Sequence, residues 1–129
     1  MPLKLTLKPH ERIIIGGAAV RNGGAHATLM IENHVPVLRE TDILSPRTVK
    51  TPCERVYLAL QLMYIDPERR PEHHETYRRL AEAVAQAAPS CRHILERIDE
   101  HLGATQYYQA LKTGRTLRTH ERELLQHVS

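Results

Sequence analysis

Polar and apolar residues alternate from Leu3 to Leu7, with Leu3, Leu5 and Leu7 on one face and Lys4 and Thr6 on the other. A period of two predicts a half-buried strand, and Pro9 ends it. Arg12 to Ile15 is a β-branched run stopped by Gly16-Gly17, and Ala18 to Arg21 is a short, weak one. Asn22-Gly23-Gly24 predicts a hairpin turn, because Asn and Gly tolerate positive φ. Thr28 to Ile31 and Val35 to Arg39 complete four or five short strands in about 45 residues, a small antiparallel sheet or open barrel. A sheet this small leaves edges that need self-association or other cover.

The period changes at Thr51-Pro52-Cys53-Glu54. Thr51 caps, Pro52 suits the first helical position and Glu54 reaches back to the cap amide, so a helix is predicted from Pro52 to about Ile65. Val56, Leu60 and Met63 lie on one side, and Tyr57, Leu58, Leu62 and Tyr64 extend apolarity around most of the cylinder. Such a helix is buried or forms an interface. After breaks at Asp66-Pro67 and Pro71, a second helix fits roughly Glu72 to Ala88, with Tyr77, Leu80, Ala81, Val84 and Ala88 at helical spacing. Ser90 is placed to cap a third helix carrying Ile94, Leu95, Ile98 and Leu102, with Gly103 as its stop. A fourth spans roughly Thr105 to Val128, weakened in the middle by Gly114. The expected fold class is α+β: a β-rich domain over residues 1–48 and a four-helix domain over 49–129.

Composition narrows the picture. With no Trp, no Phe and five Tyr, the core has to be largely Leu, Ile, Val and Ala. The net charge of +3 is unevenly spread: residues 1–50 hold seven bases against four acids, while the remainder balances at eleven of each. A polyanion partner belongs first on the sheet half. Cys53 and Cys91 form no CxxC pair and read as small buried hydrophobes in a reduced compartment. Lys4 and Lys8 interrupt the only candidate signal peptide, and no apolar run approaches a membrane span, so a cytoplasmic protein is expected.

Enzymatic chemistry finds little support. The histidines of Glu72-His73-His74-Glu75 point to different sides of a helix, whereas a zinc-binding helix wants them four apart. His120 and His127 lie seven apart, best read as a surface stripe. The glycine pairs at Gly16-Gly17 and Gly23-Gly24 match turns rather than phosphate loops. No catalytic residue, metal site or cofactor is assigned.

Two basic sets are candidates for anions. One is Lys4, Lys8, Arg12, Arg21 and Arg39 on the strands, although the sheet half has no aromatic residue for base stacking. The other is Lys112, Arg115, Arg118 and Arg122 on the last helix, diluted by Glu121 and Glu123 and best read as a solvated face. Arg39 poses the sharpest alternative, since it ends a short apolar strand. It either faces a polyanion or pairs with Glu40 or Asp42.

The stretches PLKLTLKPHERIIIGG, TLMIENHVPVLRETDILSP, TPCERVYLALQLMYIDPE and YYQALKTGRTLRTHERELL resemble the FlbT family of bacterial flagellin regulators over nearly the whole chain. The resemblance implies a post-transcriptional regulator that acts on the 5′ untranslated region of flagellin mRNA, changes its stability or translation, and works with a small partner protein, FlaF. The first half resembles, more distantly, the carbon storage regulators, which are RNA-binding dimers. Their motifs L-x-L-T-x-[KR], E-x-[IL]-x-I-G and V-x-R-E-x-[DE]-I fall on Leu3, Leu5, Thr6 and Lys8, on Glu11, Ile13, Ile15 and Gly16, and on Val37, Arg39, Glu40, Asp42 and Ile43. In that family the first and last strands of two subunits lie together and read a GGA element, with a last-strand arginine that matches Arg39. Leu7 stands where those relatives carry a basic residue, the middle of the sheet is shorter, and the helices have no counterpart there.

Two readings follow. In the first, a homodimer contacts the flagellin mRNA leader through Lys4, Thr6, Lys8 and Arg39, and the helices hold a protein partner. In the second, Arg39 is structural, and the chain is an adaptor or chaperone-like partner of FlaF or flagellin without direct RNA binding. The apolar first helix, through Tyr57, Leu60, Met63 and Tyr64, is the expected docking surface.

Overall fold

The computed structural model describes residues 2–128. The fold is α+β: five short strands lead into four α-helices. The chain divides into two compact units, Met1–Ile43 and Leu44–Ser129, so the division falls a few residues ahead of the expected 48/49 boundary. The reason lies in Gln61, a buried amide on the first helix. Its Oε1 accepts from the Leu44 backbone N–H at 2.8 Å and its Nε2 donates to the Leu44 carbonyl at 3.0 Å. Both backbone polar groups of Leu44 are thereby satisfied by the first helix of the helical unit, Pro52–Ile65.

In the first unit, β1 (Leu3–Leu7) pairs antiparallel with β4 (Ala27–Ile31), and β2 (Arg12–Ile15) lies between β3 (Ala18–Arg21) and β5 (Val37–Arg39). Leu5, Leu7 and Ile13 form the buried cluster, with Ile15, Val20, Leu29, Ile31 and Val37 packed against it. The alternation in β1 therefore does what period two requires: Leu5 and Leu7 go inward, Lys4 and Thr6 outward.

The hairpin turn is not where Asn22-Gly23-Gly24 suggested. Ile15 pairs with Ala18, so the tight turn is Gly16-Gly17, with Gly16 at φ +60°. Asn22 acts instead as a clasp. Its Nδ2 donates to the carbonyls of Lys8 (2.7 Å) and Ala25 (2.9 Å), while its backbone N–H donates to Glu11 at 2.8 Å. This ties the β1–β2 turn, where His10 sits at φ 63°, to the β3–β4 connection.

In the second unit, α1 (Pro52–Ile65) packs on both α2 (Arg70–Ala87) and α4 (Tyr107–Val128), and α3 (Arg92–Gly103) packs on α4. The Thr51/Glu54 capping box is present. Ser90 does not cap α3; its hydroxyl bonds His120 Nε2 at 2.9 Å, and a 3-10 turn over Pro89–Cys91 leads into the helix. Gly103 is the last residue of α3 rather than a left-handed stop; that conformation falls on Thr105, at φ 55°. Gly114 does not interrupt α4. A Cβ there would meet Leu60 Cδ1 at 3.0 Å and Tyr57 Cδ2 at 3.3 Å, so the glycine lets α4 approach α1 closely. The core is mostly aliphatic, as composition requires, but Tyr57 and Tyr77 are also fully buried. Tyr77 keeps its hydroxyl satisfied by donating to Asp99 Oδ1 at 2.7 Å.

Candidate nucleic-acid interface

The four residues expected to meet RNA converge on β1. Lys4, Thr6 and Lys8 are exposed. Lys4 and Thr6 stand across from Met30 and Thr28 on the outer face of the β1–β4 pair. Arg39 reaches the same strand from β5, where its Nη2 donates to the Thr6 carbonyl at 2.9 Å. Strand order explains this meeting. Arg39 stands opposite Ile13 in the β2–β5 ladder, and the β1–β2 turn returns the chain to Thr6.

Arg39 is ion-paired, but with neither neighbour expected from the sequence. Its partner is Glu11 at 3.0 Å. Side chains alternate across a strand, so Glu40 faces away from Arg39, whereas Glu11, two residues before Ile13, lies diagonally across on the same face. Glu40 instead accepts from the Arg12 backbone N–H at 2.9 Å. The Lys8 backbone N–H, donating to Glu11 at 2.9 Å, and then the Arg39 guanidinium hold the Glu11 carboxyl below its usual value. The Arg39 side chain nevertheless remains 38% exposed, and its bonds to Thr6 and Glu11 both use Nη2. Among the described residues its other guanidinium donors have no hydrogen-bond partner, which leaves them for a further anion.

The docking surface expected on α1 requires correction. Tyr57, Leu60 and Met63 are at most 1% exposed, enclosed in the core of the helical unit. An all-round apolar helix here is the central helix of its unit, so these side chains are spent on folding. Only Tyr64 remains half-buried, its ring 5.4 Å from that of Tyr108, which is exposed on α4. The basic stripe on α4 is also divided: Arg118 lies 4.6 Å over the Tyr57 ring, while Lys112 and Arg122 are exposed.

Sequence reasoning missed the role of Glu121. It accepts from the Thr51 hydroxyl and, at 3.1 Å, from the Cys53 backbone N–H, closing the N-terminus of α1 from α4. Burial, followed by the nearby Glu121 charge, pushes the Cys53 thiol far above its ordinary range, and burial also raises Cys91. Both cysteines are buried and free. Among the described residues, no group of three or more His, Cys, Asp or Glu is disposed to hold a metal ion, and no helix is long and apolar enough to cross a membrane.

A small antiparallel sheet unit with a basic outer strand, followed by a helical unit closed on its own core, places the chain among α+β proteins whose conspicuous surface chemistry is cationic. The chain belongs to the family described as flagellar protein FlbT, whose model matches residues 3–125. It is 45% identical to the probable flagellum biosynthesis repressor protein FlbT 1 of Bradyrhizobium diazoefficiens, over 96% of this chain and 85% of that one. It is 38% identical to the probable flagellum biosynthesis repressor protein FlbT of Rhodopseudomonas palustris, over 97% of this chain and 98% of that one. It is also 38% identical to the flagellum biosynthesis repressor protein FlbT of Caulobacter vibrioides, over the whole of this chain and 93% of that one. No solved structure matches it.

Proposed function

We propose that this chain is a cytoplasmic, non-catalytic repressor of flagellum biosynthesis that binds the 5′ untranslated region of flagellin mRNA and changes its stability or translation. The observation that carries this reading is the junction of Arg39 with Thr6 on an exposed strand flanked by Lys4 and Lys8. Cations and hydroxyls along an outer strand suit sugar–phosphate contacts, and an aromatic-free strand leaves recognition to hydrogen bonds. Among the described residues β1 pairs only with β4 and β5 only with β2, which leaves strand edges for a second copy to cover, so the acting species is a homodimer.

Binding of the full chain to the flagellin leader, against a scrambled RNA at two salt concentrations, tests this. Specific binding that weakens with salt is expected, because phosphate contacts release counterions. Lys4→Ala with Lys8→Ala should reduce affinity by about tenfold at low salt, following the loss of two such contacts. Equal affinity for leader and scrambled RNA would overturn the reading.

The ion pair between Arg39 and Glu11 favours a second reading, in which Arg39 is structural and the chain is an adaptor or chaperone-like partner of FlaF or flagellin. The surface left for such a partner centres on Tyr64 and Tyr108 rather than on the buried Tyr57, Leu60 and Met63. Retained binding to FlaF or flagellin with no specific RNA binding would select it.

A further inference from the structure

A depression of about 290 Å³ opens between α3 and α4, lined by Arg97, His101, Gln109, Lys112, Thr113 and Thr116. All six are polar, two are permanent cations, one is a histidine, and no carboxylate lines it. The groove between α2 and α3 is the natural contrast, because Glu82, Glu96 and Asp99 there stand among Arg78 and Arg92. A mixed set neutralises itself; the α3–α4 set does not.

The donors are also unspent. Among the described residues, the side chains of Arg97 and Thr116 make no hydrogen bond or ion pair, and Glu100, one turn beyond Arg97, does not pair with it. Among the described residues the Lys112 ammonium has only the Tyr108 ring as a partner, 5.9 Å from the ring centroid. The Thr113 hydroxyl is used up, donating to the Gln109 carbonyl at 3.1 Å. His101 is held through Nδ1 by Gln106 Oε1 at 3.1 Å, which fixes the ring and leaves Nε2 uncommitted. Packing thus gathers an arginine, a lysine, a hydroxyl and the Gln109 amide around one concavity, with Arg97 and Lys112 reaching it from different helices. A guanidinium and an ammonium converging with neutral donors match a tetrahedral oxyanion, where charge-assisted hydrogen bonds are the strong ones.

We infer that the α3–α4 depression is a phosphate-binding site, with Arg97 and Lys112 as the charged ligands and Thr116 and Gln109 as neutral donors. The phosphate belongs either to a nucleic-acid backbone or to a free phosphorylated small molecule. All six lining residues belong to the helical unit, and the site does not depend on the RNA-binding reading of β1.

The test uses the ¹⁵N-labelled full chain, titrated with inorganic phosphate and with a nucleoside 5′-monophosphate, against sodium chloride at matched ionic strength. Saturable shifts at Arg97, Lys112 and Thr116 are expected, and Arg97→Ala with Lys112→Ala should weaken binding by about tenfold or more, through the loss of two charge-assisted bonds. Both side chains are exposed, so an unchanged melting temperature verifies that the double variant is folded. Shifts no larger than those with chloride, or unchanged in the double variant, would overturn the site. The flagellin leader then separates the sources. An affinity loss in the double variant beyond that of Lys4→Ala with Lys8→Ala points to backbone phosphate. Saturable monophosphate binding with unchanged RNA affinity points to a free phosphorylated molecule.

Discussion

The sheet unit and the helical unit solve the burial problem differently. In the helical unit every helix contributes fully enclosed side chains, and its central helix is buried on several sides. In the sheet unit neither β3 nor β4 has a fully buried residue, Leu3 and Met30 stay exposed, and among the described residues each two- or three-stranded sheet keeps open edges. The helices spend apolar surface on their own stability. The sheet keeps hydroxyls and cations on the outside. A unit closed around its own core and a unit with cations along an exposed strand face are thus separated along the chain, and the most informative experiments ask whether their roles are separated too.

The largest effect should come from the central helix. Leu60 is 1% exposed and sits where α4 approaches through Gly114. Leu60→Ala should cost about 2–5 kcal/mol, from lost burial and the cavity left behind. Denaturant unfolding of the full chain measures it. A loss below about 1 kcal/mol, with weakened partner binding, would return Leu60 to an exposed docking role and erase the contrast between the units.

What was legible in the sequence was whatever its own neighbourhood decides. The alternation of Leu3, Leu5 and Leu7 sufficed for β1, and Thr51 with Glu54 sufficed for the start of α1. Pairings between distant segments were not legible. Asn22-Gly23-Gly24 has the chemistry of a hairpin turn, yet β3 pairs back on β2 and Asn22 is drawn off to the carbonyls of Lys8 and Ala25. Glu40 and Asp42, which stand beside Arg39, are the ion-pair alternative to a polyanion that the sequence offers, whereas the ladder register selects Glu11. The apolar character of Tyr57, Leu60 and Met63 was clear, but periodicity does not distinguish a core helix from an interface helix. The α3–α4 depression was half visible in the α4 basic stripe, through Lys112; Arg97 joins it only because α3 packs on α4.

A middle-sized effect tests how far the helical scaffold depends on such distant pairings. Glu121 accepts from Thr51 and Cys53 at the first turn of α1. Glu121→Ala leaves those donors without their acceptor and removes a negative charge from a helix N-terminus, a loss of about 1–2 kcal/mol. Faster hydrogen exchange at the Cys53 amide is the local sign. Unchanged exchange there would mean that the local Thr51–Glu54 box closes the helix unaided.

The smallest effect belongs to the sheet and decides the most. Glu11 is held below the ordinary carboxylate range first by the Lys8 N–H and then by Arg39. A depressed folded-state value means that its contribution is complete above the unfolded value and is lost as pH falls through the folded one. The Lys8 amide resonance should therefore shift in acid, below the usual carboxylate midpoint, and Glu11→Gln should abolish that inflection. At neutral pH the same substitution removes the carboxylate while leaving Arg39 in the Thr6 carbonyl's reach. If Arg39 serves RNA, its charge is then less neutralised, and leader binding should hold or tighten by up to a few fold at low salt. If Arg39 serves only to fasten β5 to the β1–β2 turn, Glu11→Gln and Arg39→Ala should loosen the sheet alike and leave RNA binding equally indifferent. Opposite effects of the two substitutions on RNA affinity, with similar effects on exchange in β1, would show that one guanidinium both fastens the strand and faces the ligand.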